Sequence, residues 1–271
     1  MKTIKNLLSI FVIITSLTFV SCENEPIDQS LIGTNASGNG TGGNGTGGGN
    51  GSGGGGGTGG GTGGGTSTGD YWPAAINNSW SFSNDGAPSE MMKMISTSNV
   101  GGLAYHDFDN IFGQGAQVSG NAAMKLRKNS GDYYIKIEAT SLDIGGGMSA
   151  TQTPFEFLVL KDYLAVNQTW NGTYTQTTSY TGGGISIPAA TSTSNYVGTI
   201  LGTNLTETVD GETFTNVIKL KIAQSITITG MPGSTPIETT YWFSKNVGPI
   251  KSQTISNGST TTSILTDYVL N

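Results

Sequence analysis

Charged, histidine and cysteine side chains are scarce in this chain of 271 residues. Asp, Glu, Lys and Arg together make up 11% of it, His106 is its single histidine and Cys22 its single cysteine. A lone histidine excludes metal sites built on two histidines, and a lone cysteine excludes an internal disulfide. The part from Asp70 onward carries 15 acidic and 10 basic residues, a net charge of −5. That sign gives it no electrostatic reason to bind nucleic acid or an anionic lipid surface.

Residues 33–69 lack charged and aromatic side chains and consist almost entirely of Gly, Thr, Asn and Ser. Such a segment cannot bury enough apolar surface to offset the entropy of ordering it, so it predicts a disordered tether. A Gly-rich coil of this length has a typical end-to-end distance of roughly 33 Å. We therefore expect residues 22–69 to be a spacer that begins at Cys22.

The N-terminal residues 1–21 have the features of an export signal. Two lysines precede an uncharged segment, residues 6–20, that is shorter than the roughly 20 apolar residues of a spanning helix. Phe19-Val20-Ser21-Cys22 resembles the lipobox of bacterial lipoproteins, in which the cysteine becomes the lipidated first residue of the mature chain, although Phe19 replaces the usual leucine. The alternative is an ordinary secretory signal followed by an incidental cysteine.

The lipobox resemblance implies attachment to a membrane through Cys22. Glu23-Asn24-Glu25 is acidic and resembles the signal that sends lipoproteins of one large Gram-negative phylum to the outer face of the outer membrane. We therefore expect the protein in the outer membrane. The cell surface is the expected side, and the periplasm-facing side is the alternative.

Residues 70–271 read as strands almost throughout. In Tyr133–Glu138 the apolar and charged residues alternate, and Val217–Thr229 does the same over a span too long for a flat strand in one domain. Turn sequences such as Asp210-Gly211 separate the runs and favour antiparallel hairpins. The prediction is an all-β domain with a single antiparallel, strongly curved sheet, half-barrel or barrel-like, with at most a short turn of helix near residues 109–114.

One six-residue pattern occurs twice. Ala75–Trp80 matches Ala165–Trp170 position by position in chemical type, and each places an Asn-containing turn before a strand that opens with tryptophan. The separation is too long for a solenoid repeat, so the pattern indicates either two related halves of one sheet or a common strand-entry solution used twice.

Several aromatic segments resemble those of uncharacterised envelope lipoproteins, which are similar in turn to the half-barrel periplasmic lipoprotein carriers. The segments that carry the resemblance are Tyr71-Trp72-Pro73, the entries at Trp80 and Trp170, Phe214–Val217 after Asp210-Gly211, and Tyr241–Lys251. The resemblance implies a sheet curled around an apolar groove, with a bound apolar ligand or protein partner. It carries over no catalytic residue.

Candidate catalytic and metal-binding residues are few. His106 lies among carboxylates in a segment read as a loop, and no GxSxG elbow accompanies it. Asp107, Asp109 and Asn110 have the oxygen ligands of a Ca²⁺ loop, but no Glu closes it. We therefore expect no catalytic residue, no metal and no cofactor.

Three functions follow as hypotheses. The first is a membrane-anchored, non-enzymatic binding lipoprotein for an apolar ligand or a protein partner. The second is a surface glycan-binding or adhesion module, in which exposed tryptophans stack on sugar rings, with core packing as the competing role of those rings. The third is a hydrolase with paired carboxylates. The candidate ligand contacts are Trp72, Trp80, Trp170 and Trp242, and the candidate carboxylates are Glu138, Glu156 and Glu238.

Overall fold

The computed structural model describes residues 64–88, 91–111, 123–145, 147–182 and 187–271. The predicted signal peptide, Cys22 and most of the tether lie outside the described residues, as does most of the helical turn expected near residues 109–114.

Every regular element among the described residues is a β-strand. Within this part of the chain no helix is long and apolar enough to cross a membrane. The 15 strands are β1 (Ser79–Asn84), β2 (Ala87–Pro88), β3 (Met92–Val100), β4 (Leu103–Phe108), β5 (Met124–Asn129), β6 (Asp132–Ile137), β7 (Thr140–Gly145), β8 (Met148–Gln152), β9 (Phe155–Lys161), β10 (Thr169–Gly182), β11 (Ala190–Val209), β12 (Glu212–Ile228), β13 (Thr235–Ser244), β14 (Gly248–Ser256) and β15 (Ser259–Val269).

The strands form one antiparallel sheet in the order β7-β8-β10-β11-β12-β13-β14-β15-β1-β3-β4-β5-β6-β9, and β2 lies off this path on β1. Strands β10 to β15 follow one another as a meander. A second meander runs from β1 through β3, β4, β5 and β6 to β9, and the two are joined where β15 pairs with β1. The hairpin of β7 and β8 is added at the far end of β10.

The sheet is strongly curved around its own core. Trp72 contacts Phe108 on β4 with ring centroids 6.1 Å apart and Phe243 on β13 with centroids 5.7 Å apart. Four strands separate β13 from β4 in the sheet order, so both can contact one ring only if the sheet curls. The predicted all-β, curved antiparallel fold is confirmed.

The sheet is not closed by strand pairing, because the order ends at β7 and at β9. Side chains bridge β9 to β10 and β11 instead. Trp170 Nε1 donates to the carbonyl oxygen of Leu158 at 3.0 Å, and the N–H of Leu158 donates to the Tyr196 hydroxyl at 3.0 Å. Glycines make room for both rings: a Cβ at Gly198 would lie 2.1 Å from the Trp170 ring, and one at Gly172 would lie 2.3 Å from the Tyr196 hydroxyl.

The predicted alternation and turns are present. Tyr133 and Ile135 are buried on β6, while Lys136 lies on the opposite face. Asp210 and Gly211 both have positive φ, 48° and 83°, as a type I′ turn between β11 and β12 requires.

The duplicated pattern folds the same way twice. Asn77 has a φ of 73° and Asn167 a φ of 69°. The N–H of Asn77 donates to the carbonyl oxygen of Met94 at 2.9 Å, and that of Asn167 donates to the carbonyl oxygen of Ile200 at 2.8 Å. Each turn thus precedes the first strand of a meander and docks on the strand beside it, which agrees both with two related halves and with one strand-entry solution used twice.

Residues 64–69, which the sequence analysis assigned to the tether, bond to the domain. The N–H of Gly131 donates to the carbonyl oxygen of Gly65 at 3.0 Å, and Ser67 Oγ donates to Asp162 Oδ2 at 2.5 Å. The folded part therefore begins before Asp70, because polar groups of this segment satisfy a carboxylate that is only 3% exposed.

Candidate functional site

All four tryptophans are core residues. Trp72 and Trp80 are fully buried, and Trp170 and Trp242 are 7% and 6% exposed. A ring that stacks on a sugar needs an exposed face, so this burial removes the sugar-stacking role considered for them. The competing role, closing the core at strand entries, agrees with the positions of Trp80 and Trp170, the second residues of β1 and β10.

Hydrogen bonds and cations hold these rings in place. Trp80 Nε1 donates to the carbonyl oxygen of Val247 at 2.8 Å. Trp242 lies between two lysines that pair with it across the strands, with Lys219 Nζ 4.8 Å and Lys251 Nζ 4.7 Å from its ring. Both distances are within the range of cation–π attraction, so the lysines cover a ring that a ligand would need to reach.

The concave side of the sheet is filled by side chains. Its largest fully buried members are Trp72, Trp80, Tyr133, Phe82, Phe108, Phe243, Met92, Met94, Met124, Leu126, Leu160 and Ile200. They pack into one cluster with the other buried hydrophobic residues. The open apolar groove implied by the resemblance to lipoprotein carriers is thus replaced, over the described residues, by a packed core.

The three candidate carboxylates are each bound to a cation. Glu138 lies 2.8 Å from Lys136, and Glu238 lies 3.2 Å from Lys221 on the neighbouring strand. Glu156 contacts Arg127 at 2.5 Å and accepts a hydrogen bond from the Tyr105 hydroxyl at 2.6 Å.

Burial and the bonded Glu156 raise the pKa of Tyr105 to about 12, so the phenol stays protonated and acts as a donor. These are the contacts of a surface ion-pair network.

His106 and Asp107 point to opposite faces of β4. His106 pairs with Leu126 on the core side, and burial, followed by the charge of Lys128, lowers the pKa of the imidazole. Asp107 lies on the outer side, 2.7 Å from Lys125 and bonded to two serines. Burial alone would raise the pKa of this carboxyl, but the bonds to Lys125 and the serines outweigh it and lower the pKa.

The oxygens suggested for a Ca²⁺ loop are also used internally, since Asp109 accepts from the N–H of Lys93 at 2.7 Å. Among the described residues no group of three or more His, Cys, Asp and Glu is placed to hold a metal.

A depression of about 540 Å³ lies across β10, β11 and β12. Outward-pointing side chains from two registered rows line it, and the sheet register fixes their order. The rows are Asn171–Val197–Ala223 and Thr173–Asn195–Ser225, and a third row, Thr175–Thr193–Thr227, continues the pattern. We call these nine residues the neutral face. Seven of them are exposed, and Ala223 and Thr193 are half-buried.

The neutral face has no ionisable side chain, and its central amide is already oriented. Thr173 Oγ1 donates to Asn195 Oδ1 at 2.7 Å, which points the NH₂ group of Asn195 away from Thr173. Val197, 45% exposed, adds a small apolar surface beside it. Tyr196 also borders the depression, and because burial raises the pKa of its phenol it remains uncharged. Amides, hydroxyls and one apolar patch can bind a neutral ligand that carries both hydroxyls and C–H groups.

An aromatic layer on the other side of the same strands supports the neutral face. Tyr174 stacks on Phe155 with ring centroids 4.5 Å apart and an interplanar angle of 12°, and its ring lies 6.4 Å from that of Tyr196. This packing holds the backbone of β10 and β11 in place. The neutral face was not among the sites predicted from the sequence. Its signal there is the recurrence of Thr and Asn at alternate positions in Asn171–Thr177 and Thr191–Asn195.

No protein-family model and no curated protein matches this chain. Two solved structures are similar in chain path. A candidate lipoprotein of Parabacteroides distasonis matches with a TM-score of 0.46 and 10% identity, over 74% of this chain and 99% of that one. A candidate exported protein of Bacteroides fragilis with a YmcC-like fold matches with a TM-score of 0.44 and 11% identity, over 74% of this chain and all of that one. At this level the likeness carries no assignment of function.

Proposed function

We propose that this chain is a cell-envelope lipoprotein, anchored in the outer membrane through Cys22, whose β domain binds a neutral glycan at the cell surface. The domain acts by binding and not by catalysis. The observation that carries the binding role is the neutral face, whose first two rows line a depression of about 540 Å³ with uncharged side chains, among them the amides of Asn171 and Asn195. This volume falls within the roughly 300–1,000 Å³ of small-molecule sites.

The chemistry of the neutral face favours a glycan over the other expected ligands. An acyl chain or other apolar ligand would leave the amide of Asn195 and the neighbouring hydroxyls without partners, at a cost of about 1–3 kcal/mol for each buried group. An acidic ligand would find no cation on this face, since Lys221 beside it is paired with Glu238. A neutral sugar satisfies the polar groups and can place a C–H face against Val197.

Binding is tested with the full mature chain carrying Cys22→Ser, screened on an array of neutral and acidic glycans. We expect binding to neutral glycans that changes little with salt, because no charge is involved. Asn171→Ala combined with Asn195→Ala should abolish it, whereas Thr261→Ala, an exposed site on β15, should not. Failure to bind any neutral glycan, or binding unaffected by the paired Asn variant, would overturn the proposal.

Anchoring is tested separately in a Gram-negative host. The Cys22→Ser chain should fold but leave the membrane fraction, because the acyl chains supply about 0.8 kcal/mol per buried methylene. Protease added to intact cells should digest the β domain of the lipidated protein. Retention of Cys22→Ser in membranes would contradict the anchor, and protection in intact cells would contradict the surface location.

A further inference from the structure

The polar pattern on β10–β12 continues beyond the depression. Its third row, Thr175–Thr193–Thr227, lies next to the row of Asn195, and the pair Thr177–Thr191 follows on β10 and β11. Outward side chains repeat every two residues, about 6.8 Å along a strand, and neighbouring strands are about 4.8 Å apart. From the Asn171 row to the Thr177 pair the pattern therefore spans roughly 20 Å, longer than one sugar-sized depression requires.

The five added positions are all threonines, and three of their hydroxyls, those of Thr177, Thr191 and Thr227, are held by hydrogen bonds within the sheet. Thr177 Oγ1 lies 3.0 Å from Thr191 Oγ1. Thr227 Oγ1 donates to the carbonyl oxygen of Thr193 at 3.4 Å. A β-branched side chain has few χ1 rotamers, so an array of threonines loses little conformational entropy when a ligand binds. The result is a preformed, evenly spaced set of hydroxyls with no charge among them.

We infer that the ligand is an extended neutral polysaccharide that lies along β10–β12, with one part in the depression and further sugars over the threonine rows. This inference rests on the proposed function and adds to it the polymeric nature of the glycan and the direction of its chain. A repeating ligand with hydroxyls at regular intervals matches a repeating protein surface. A short or compact glycan would leave the threonine rows unused.

The uncharged surface also sets the class of polymer. Lys221 and Glu238 mark the edge of the pattern on β12 and β13 and are bonded to each other at 3.2 Å. A polyanion such as an acidic capsule or lipopolysaccharide core would therefore meet no unpaired cation along the rows. The absence of unpaired charge on this surface therefore favours neutral polymers as ligands.

The test compares chain lengths and two triple variants of the full mature chain carrying Cys22→Ser. Affinity electrophoresis and calorimetry use laminarin, mannan, dextran and xyloglucan, together with trisaccharides of the same linkages, and alginate as the acidic control. Thr175→Val, Thr193→Val and Thr227→Val remove three hydroxyls but keep the β-branched shape. The matched control is Thr206→Val, Thr260→Val and Thr261→Val, three exposed threonines outside these rows.

We expect at least one neutral polymer to bind about tenfold or more tightly than its trisaccharide. The first triple variant should lose about tenfold in affinity for the polymer, because it lacks three hydroxyls that would bond to the sugars. It should bind the trisaccharide as before, and the control triple should match the unmodified protein. Equal affinity for polymer and trisaccharide, an unaffected first triple, or preference for alginate would overturn the inference.

Failure of the inference is distinguishable from failure of the proposed function. If trisaccharides bind and the paired Asn171 and Asn195 variant abolishes that binding, the glycan site stands even when the threonine rows contribute nothing. If no neutral saccharide of either length binds, both are overturned.

Discussion

His106 lies on strand β4, although the sequence around it was interpreted as a loop. It pairs with Leu126 on the core side of β4, and its Nδ1 is buried with no hydrogen-bond partner among the described residues. Burial first, and then the charge of Lys128, lowers the pKa of the imidazole, against the opposing charges of Asp70 and Asp107. The folded state therefore favours the neutral ring.

This arrangement predicts a loss of stability in mild acid. Because the folded pKa is lowered, the unfolded chain binds a proton below about pH 6.5 that the folded chain resists, so stability is present above that pH and falls as the pH drops through it. His106→Gln cannot titrate and should flatten the dependence between about pH 7 and pH 5. Urea midpoints at several pH values measure it, and an equally steep loss in His106→Gln would contradict the account.

Among the structural elements, the two turns before β1 and β10 show the best agreement between sequence and structure, because one repeated sequence pattern forms the same turn twice. Asn77 and Asn167 both adopt a left-handed conformation, which asparagine tolerates better than most residues. Ile76 and Val166 beside them are 53% and 45% exposed. Ile76 and Val166 therefore add little to the turn, and the feature that both copies share there is the left-handed conformation of the asparagine.

Asn77→Ala and Asn167→Ala should each lower the free energy of unfolding by about 1–2 kcal/mol, whereas the corresponding glycine variants should cost little, because only glycine enters this region freely. Ile76→Ala and Val166→Ala are the controls and should stay within about 0.5 kcal/mol of the unmodified protein. Denaturant titration of the six variants checks this. A large effect at one asparagine and none at the other would show that the two turns are not equivalent in energy.

Local patterns predict these elements because turns and strands depend on neighbouring residues. Asp210-Gly211 and the alternation in Tyr133–Glu138 specify a turn and a strand without reference to the rest of the chain. The neutral face depends on register: Asn171 meets Val197, and Val197 meets Ala223, only after three strands align. No single segment of the sequence determines how distant strands align, so the residues of the neutral face could not be grouped from the sequence. The tryptophans were poor predictors of a ligand site for a different reason. A large aromatic ring can pack in a core or stack on a sugar, and the sequence does not show which rings are exposed.

For the whole molecule, the N-terminal segment before Asp70 completes the domain. Ser67 Oγ and the N–H of Thr68 donate to the Asp162 carboxylate at 2.5 and 3.2 Å, and the Tyr133 hydroxyl donates to the carbonyl oxygen of Gly69 at 3.0 Å. Burial raises the pKa of Asp162, and these donors oppose that rise. The glycine-rich composition gives no sign of this role, because Ser67 and Thr68 look like any other polar residue of the segment until Asp162 is placed beside them.

A domain trimmed to begin at Asp70 should therefore be less stable than one that begins at Gly63, by about 1–3 kcal/mol, because Asp162 loses its donors Ser67 and Thr68 and keeps the longer contact with the Tyr133 hydroxyl at 3.5 Å. The donors stabilise the charged carboxylate, so their contribution is present at neutral pH and disappears as the pH falls and Asp162 becomes protonated. Thermal unfolding of both chains at neutral and acidic pH measures the difference. Ser67→Ala in the longer chain is the matched variant and should reproduce part of the loss. Equal stability of the two chains at neutral pH would mean that the segment only rests on the surface, and the folded domain would then begin at Asp70.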